Sequence, residues 1–167
     1  MKRIIALVIV ALPILAYSQL FGQRTPGWVK NPPKSGGSFY AVGEGSSSTP
    51  DVAERKARLN ASVALAKQVE PTIETQTTRL QSVVRNNKVL KERVQVIRES
   101  VVATLHDTRV IEKHTAERNG THTVYLLVEM PKKNISQSFV EQIKNDKELY
   151  QAVAKSKAYK ELLASAQ

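Results

Sequence analysis

The sequence predicts an α+β domain: a sheet of about four strands with helices packed on it, followed by a C-terminal helical extension. Three observations carry this. Ala53, Ala57, Ala61 and Ala64 recur at helical spacing, a stripe of small residues that lets a helix approach a sheet closely. Leu90, Val94, Ile97, Val101 and Leu105 repeat the same spacing in larger residues, the pattern of an amphipathic helix. Asn119-Gly120 sits between two strand-like runs, a strong hairpin signal because a type I′ turn needs two positive φ angles.

In order along the chain, residues 1–18 read as a signal peptide. Lys2-Arg3 precede an apolar run from Ile4 to Leu15, and Ala16-Tyr17-Ser18 supplies the small residues of a cleavage site, so Gln19 is the expected mature start. The run is too short to span a bilayer comfortably. Residues 19–38 form an irregular lead-in punctuated by Pro26-Gly27, Asn31-Pro32-Pro33 and Gly36-Gly37, with Trp28 expected to pin it to the domain.

The core domain is expected over residues 39–131. Phe39 to Val42 reads as a strand that Gly43-Glu44-Gly45 ends. Thr49, Pro50 and Asp51 have the chemistry of a helix start: a side-chain cap, a residue with preset φ, and an anion at the positive end of the dipole. That helix is expected to stop near Val69, because Pro71 disfavours helix at Glu70. The threonine-rich segment from Pro71 to Ser82 then reads as a strand, and Asn86-Asn87 as a break before the second helix.

A two-residue loop in the hairpin sets Arg118 opposite Thr121. One face then carries Ile111, Thr115, Val124, Leu126, Val128 and Met130, the expected core side. The other carries Glu112, His114, Arg118, Thr123, Tyr125 and Glu129. Lys113 falls on the core side, which suggests a place at the sheet margin. Residues 132–167 form the helical extension, with a capping-box pattern at Ser138 to Glu141, a break near Asn145-Asp146 and helix through Leu163.

Gly43-x-Gly45 between a strand and a helix resembles the start of a dinucleotide loop, but position 48 is serine where the third glycine belongs. No Gly-Lys-Ser/Thr follows, and an exported chain lies away from nucleotides. The glycines are therefore assigned to a tight turn, and no nucleotide is expected. The three histidines are His106, His114 and His122, no cysteine assists them, and the hairpin register puts His114 and His122 on opposite faces. Ser156-Lys157 stands without the companion motifs of a serine nucleophile. The sequence names no catalytic, cofactor-binding or metal-ligating residue, and no cofactor.

The formal charge is +10, and loss of Lys2 and Arg3 with the leader leaves +8. For an exported chain the anions within reach are lipopolysaccharide, acidic head groups and wall polymers. Basic residues are interspersed with Glu and Asp, and aromatic residues are not grouped beside them, which disfavours nucleic acid. There are no cysteines, so neither disulfides nor a lipid on cysteine enter the expectation.

Pro26-Gly-Trp-Val29, Tyr40-Ala-Val-Gly-Glu-Gly45, and Ala53, Ala57, Arg58 and Ala61 carry a family resemblance. It continues in Arg109-Val-Ile-Glu112 and in Gly120 to Met130. Together these resemble the Lpp-twenty family of bacterial envelope lipoproteins, which includes FlgP-type proteins of flagellar outer-membrane disks. The resemblance implies an exported, non-enzymatic α/β module working by association near the outer membrane. The resulting expectation is a binding or assembly module, periplasmic or peripherally held at the outer membrane. Its partners would be envelope proteins or further copies of itself. The alternative is an electrostatic binder of anionic envelope polymers, a membrane surface or nucleic acid.

Overall fold

The computed structural model describes residues 25–104 and 108–167. The expected signal peptide, cleavage site and mature start lie outside these residues, as do Leu105 and His106. Within them the order is α1 (Gly27–Lys30), β1 (Ser38–Ser47), α2 (Pro50–Val83), α3 (Lys88–Ala103), β2 (Arg109–Arg118), β3 (Thr121–Pro131), α4 (Lys132–Asn145), α5 (Lys147–Val153) and α6 (Lys157–Ser165). The class is α+β, as expected. The described sheet has three strands rather than about four, in the order β1-β3-β2, and both pairings are antiparallel.

The missing strand is the second half of α2. That helix runs 34 residues, straight through Pro71 and the threonine-rich segment. A proline inside a helix costs about 3 kcal/mol, because it removes one hydrogen bond and crowds the preceding turn. The apolar spacing does not stop there: Val69, Ile73, Leu80 and Val84 continue the buried side of the helix. Burying each of those side chains is worth about 1.5–3 kcal/mol, so together they outweigh the proline. Pro71 itself lies on the exposed side. The threonines adapt to the helix by bonding back along it, Thr75 Oγ1 to the Pro71 carbonyl at 2.7 Å and Thr77 Oγ1 to the Ile73 carbonyl at 2.8 Å. Asn86-Asn87 does break the chain, and the Asn87 side chain caps α3 by accepting from the Leu90 N–H at 3.1 Å.

The hairpin turns at Asn119 (φ 52°) and Gly120 (φ 71°), and Arg118 faces Thr121 as the two-residue loop demands. Val124, Leu126, Val128 and Met130 form the core face of β3. On β2 the register slips between Val110 and Glu112. A bulge at Ile111 therefore sets Val110, not Ile111, opposite Val128, and Val110 packs on the core in its place. Thr115, expected on the core face, is exposed. Leu127 points to the other face and is nonetheless buried, at 1 % exposure. The short α1, in the segment expected to be irregular, touches β3, with Trp28 half-buried.

β3 ends at Pro131, and α4 follows without an intervening loop. The Lys132 N–H bonds the Gly37 carbonyl at 2.9 Å, and Ser138 lies inside the helix rather than capping it. Asp146 ends α4 and caps α5 through the Leu149 N–H at 3.0 Å, and Ser156 caps α6 through the Tyr159 N–H at 3.1 Å. The apolar residues of these helices, Phe139, Ile143, Leu149, Val153 and Leu162 among them, join the cluster built by α2, α3 and the sheet. Arg93 of α3 reaches Asp146 at 2.9 Å and Glu148 at 2.9 Å, tying the same layers together at the surface.

Candidate functional site

The seam between β1 and α2 decides the nucleotide question. The strand does not end at Gly43; it passes through both glycines, pairing Gly43 with Leu126 and Gly45 with Val124. A Cβ at Gly43 would stand 1.9 Å from the Ala57 carbonyl oxygen and 2.4 Å from the Ala61 nitrogen. One at Gly45 would stand 2.2 Å from the Ala53 carbonyl oxygen and 2.4 Å from the Ala57 nitrogen. The Gly-x-Gly pair and the alanine stripe are thus two halves of one contact, strand backbone against helix backbone. Ala53, Ala57 and Ala61 are fully buried in it. The space where a phosphate loop would open is filled by α2, and the glycines serve close approach rather than a turn.

Beside this seam, α2 treats β1 as an edge to be closed. The Lys56 ammonium donates to the Ser46 carbonyl at 3.0 Å, the Asn60 amide to the Glu44 carbonyl at 2.7 Å, and the Gln68 amide to the Tyr40 carbonyl at 2.8 Å. These three residues each stand one position before a buried one: Ala57, Ala61 and Val69. Sequence reasoning passed over them. The signal was there, a polar residue preceding an apolar one at intervals of one helical turn or its multiple.

The sheet face turned away from α2 carries a polar network centred on Glu129. Its Oε1 accepts from the Ser38 hydroxyl at 3.0 Å and the Tyr40 hydroxyl at 3.0 Å, and its Oε2 accepts from the Arg109 guanidinium at 2.6 Å. Arg109 above all, then Ser38 and Tyr40, holds the Glu129 carboxyl below the usual glutamate range. Along the same face Ser46 bonds Thr123 at 2.9 Å, and the His114 and Tyr125 rings lie 6.2 Å apart. These contacts join strands: Glu129 reaches β1 through Ser38 and Tyr40 and β2 through Arg109.

The titratable residues are otherwise distributed. His114 lies on the Glu129 face, whereas His122 lies on the other, with its Nδ1 3.6 Å from Glu117. Among the described residues no three potential metal ligands stand together. Ser156 of the Ser-Lys pair is occupied as the cap of α6. Lys113 stands at the sheet margin as expected and pairs with Glu54 of α2, whose carboxyl it holds below the usual range. Arg58, Arg79, Arg93, Arg98 and Arg109 are likewise paired with carboxylates. Between α2 and α3 runs an open groove of about 410 Å³, lined by Val63, Ala66, Ile73 and Val102 with Lys67, Glu70 and Arg98 at its rim.

No curated protein and no solved structure matches the chain. Among the described residues no helix is long and apolar enough to cross a membrane. A family model, that of the LPP20 lipoprotein, matches residues 26–130, from the residue before α1 almost to the end of β3. The match spans the glycine–alanine seam and the hairpin, and this chain belongs to the LPP20 lipoprotein family, a family of envelope lipoproteins without catalytic activity.

Proposed function

We propose that the protein is a non-catalytic assembly module of the bacterial envelope, acting by association with envelope proteins or with further copies of itself. The observation that carries this reading is the family match over the sheet and its two long helices. The seam geometry supports it from the other side: the Gly-x-Gly motif that resembles a nucleotide loop is filled by helix backbone. The described residues build a scaffold for surfaces rather than a pocket for chemistry. As an exported protein it works in the periplasm or peripherally on the outer membrane.

Among the described residues, Arg58, Arg79, Arg93, Arg98 and Arg109 are paired with carboxylates, which speaks for this reading over an arginine-built anion-binding surface, since a paired arginine offers less field to a polymer. The test is light scattering on purified protein together with chemical cross-linking in intact cells and capture from envelope extracts. Self-association or a retained envelope partner that survives moderate salt is the expected result. A strictly monomeric protein with no partner contradicts the proposal. Capture of lipopolysaccharide or wall polymer alone, lost steeply with added salt, would put the electrostatic reading in its place.

A further inference from the structure

The two outer strands of the sheet are finished differently, and the difference points to a partner. β1 is closed by side chains of α2, as described above. β2 is the opposite edge, ten residues long and mostly exposed. Among the described residues, no side chain bonds its outward backbone groups.

Which groups point outward follows from the register. The carbonyls of Tyr40, Glu44 and Ser46 point away from β3 to meet α2. In an antiparallel ladder the residues opposite them, Glu129, Tyr125 and Thr123, therefore turn their own groups to the far side, toward β2. Tyr125 meets His114 and Thr123 meets Ala116, so these residues and their alternates, Glu112 and Arg118, bond β3. Lys113, Thr115 and Glu117 then direct N–H and C=O outward. An incoming antiparallel strand has to pair these odd-numbered residues with residues that also present free groups.

If the incoming strand is β2 of a second copy, only a few registers satisfy that rule, each with a two-fold axis at one residue. With the axis at Thr115, Thr115 faces Thr115, Lys113 faces Glu117 and Glu112 faces Arg118. Symmetry makes this four opposite-charge pairs. With the axis at His114 or Ala116 no opposite charges face each other, and at Lys113 two lysines meet across the axis. Opposite charges directly across a pair of strands stabilise it, and like charges destabilise it. The same charges bar an arbitrary strand from this edge, as edge strands require.

We propose that β2 is a self-pairing edge, joining two copies of the chain about Thr115 into a continuous six-stranded antiparallel sheet in the order β1-β3-β2-β2-β3-β1. This interface gives the assembly reading a specific partner and rests on that reading. Both helical layers fall on the same side of the extended sheet, because the axis is perpendicular to it. The closed β1 edges become its two ends, so the pairing stops at two copies.

The test uses the protein in the form the cell exports. Thr115→Cys introduces the chain's only cysteine, since the sequence has none. Mild oxidation is expected to give a covalent dimer with Thr115→Cys and none with Lys113→Cys alone, because residue 113 then faces Glu117 of the second copy and the two cysteines stand four residue pairs apart. Glu112 and Arg118 are both exposed and carry no ion pair among the described residues, so changing them breaks no charge pair of the monomer. Glu112→Arg or Arg118→Glu alone is expected to raise the dimer dissociation constant about tenfold, and the double exchange to restore it. A wild-type dimer that ignores both single changes overturns this interface while leaving the assembly reading standing. Thr115→Cys that stays monomeric under oxidation overturns the register. A wild-type protein that is monomeric and captures no envelope partner overturns both.

Discussion

The two edges of one small sheet make an instructive contrast. β1 and β2 flank the same central strand and have the same length. β1 has two glycines in place of side chains, so α2 settles against its backbone and supplies Lys56, Asn60 and Gln68 to its free carbonyls. β2 has no glycine and a bulge at its start, and it carries alternating charges on its free length. A close-packed helix can seal an edge because it comes near enough for short amide side chains to reach. An edge without that approach has to be guarded by charge, and charge can also select a partner.

The largest effect is expected from breaking the sealed side. Gly43→Ala drives a methyl group into the Ala57 carbonyl, which cannot move without shifting the helix. The substitution is expected to cost about 3 kcal/mol or more, read from urea denaturation. A loss under about 1 kcal/mol would mean that the strand and helix backbones are not in contact. A milder way to open the same edge is to remove its amide donors. Asn60→Ala and Gln68→Ala each are expected to cost about 1 kcal/mol, the worth of a hydrogen bond to a carbonyl left facing solvent. Because the two donors stand on separate turns, their effects should add.

The smallest effect concerns pH and the face between the edges. Glu129 bridges β1 and β2 through Ser38, Tyr40 and Arg109, and its folded carboxyl titrates below its unfolded value. Its contribution is therefore complete above the unfolded pKa and disappears as pH falls through the lower folded one. Glu129→Gln is expected to be less stable than the parent at neutral pH and to converge with it in acid. A constant difference between the two across the acid range would show that the carboxylate charge plays no part in joining the edges.

The fold was legible where one local rule dominates. Asn119-Gly120 set the hairpin register because the turn admits a single pairing of its flanks, and the alanine stripe faced the sheet because its spacing allows nothing larger. Pro71 misled because the local rule at Glu70 is weaker than the burial of Ile73, Leu80 and Val84 further along the same face. Thr75 and Thr77 looked like strand residues, but their hydroxyls bond within the helix. A tight turn and a close backbone approach leave the same mark on a sequence, so Gly43 and Gly45 predict a turn there; only the position of α2 separates the two. The bulge at Ile111 and the identity of the open edge were out of reach, since both depend on which strand lies beside which. That is a property of the assembled sheet.

The most direct measurement of the central claim is amide hydrogen exchange as a function of protein concentration. Glu112, His114 and Ala116 bond β3 within one chain, so their amides should stay protected at every concentration. Lys113, Thr115 and Glu117 face outward on the open edge. Their amides should exchange rapidly in dilute protein and slow as concentration rises, while the residues of β1 do not change. Exchange at Lys113, Thr115 and Glu117 that is the same at all concentrations would contradict the account.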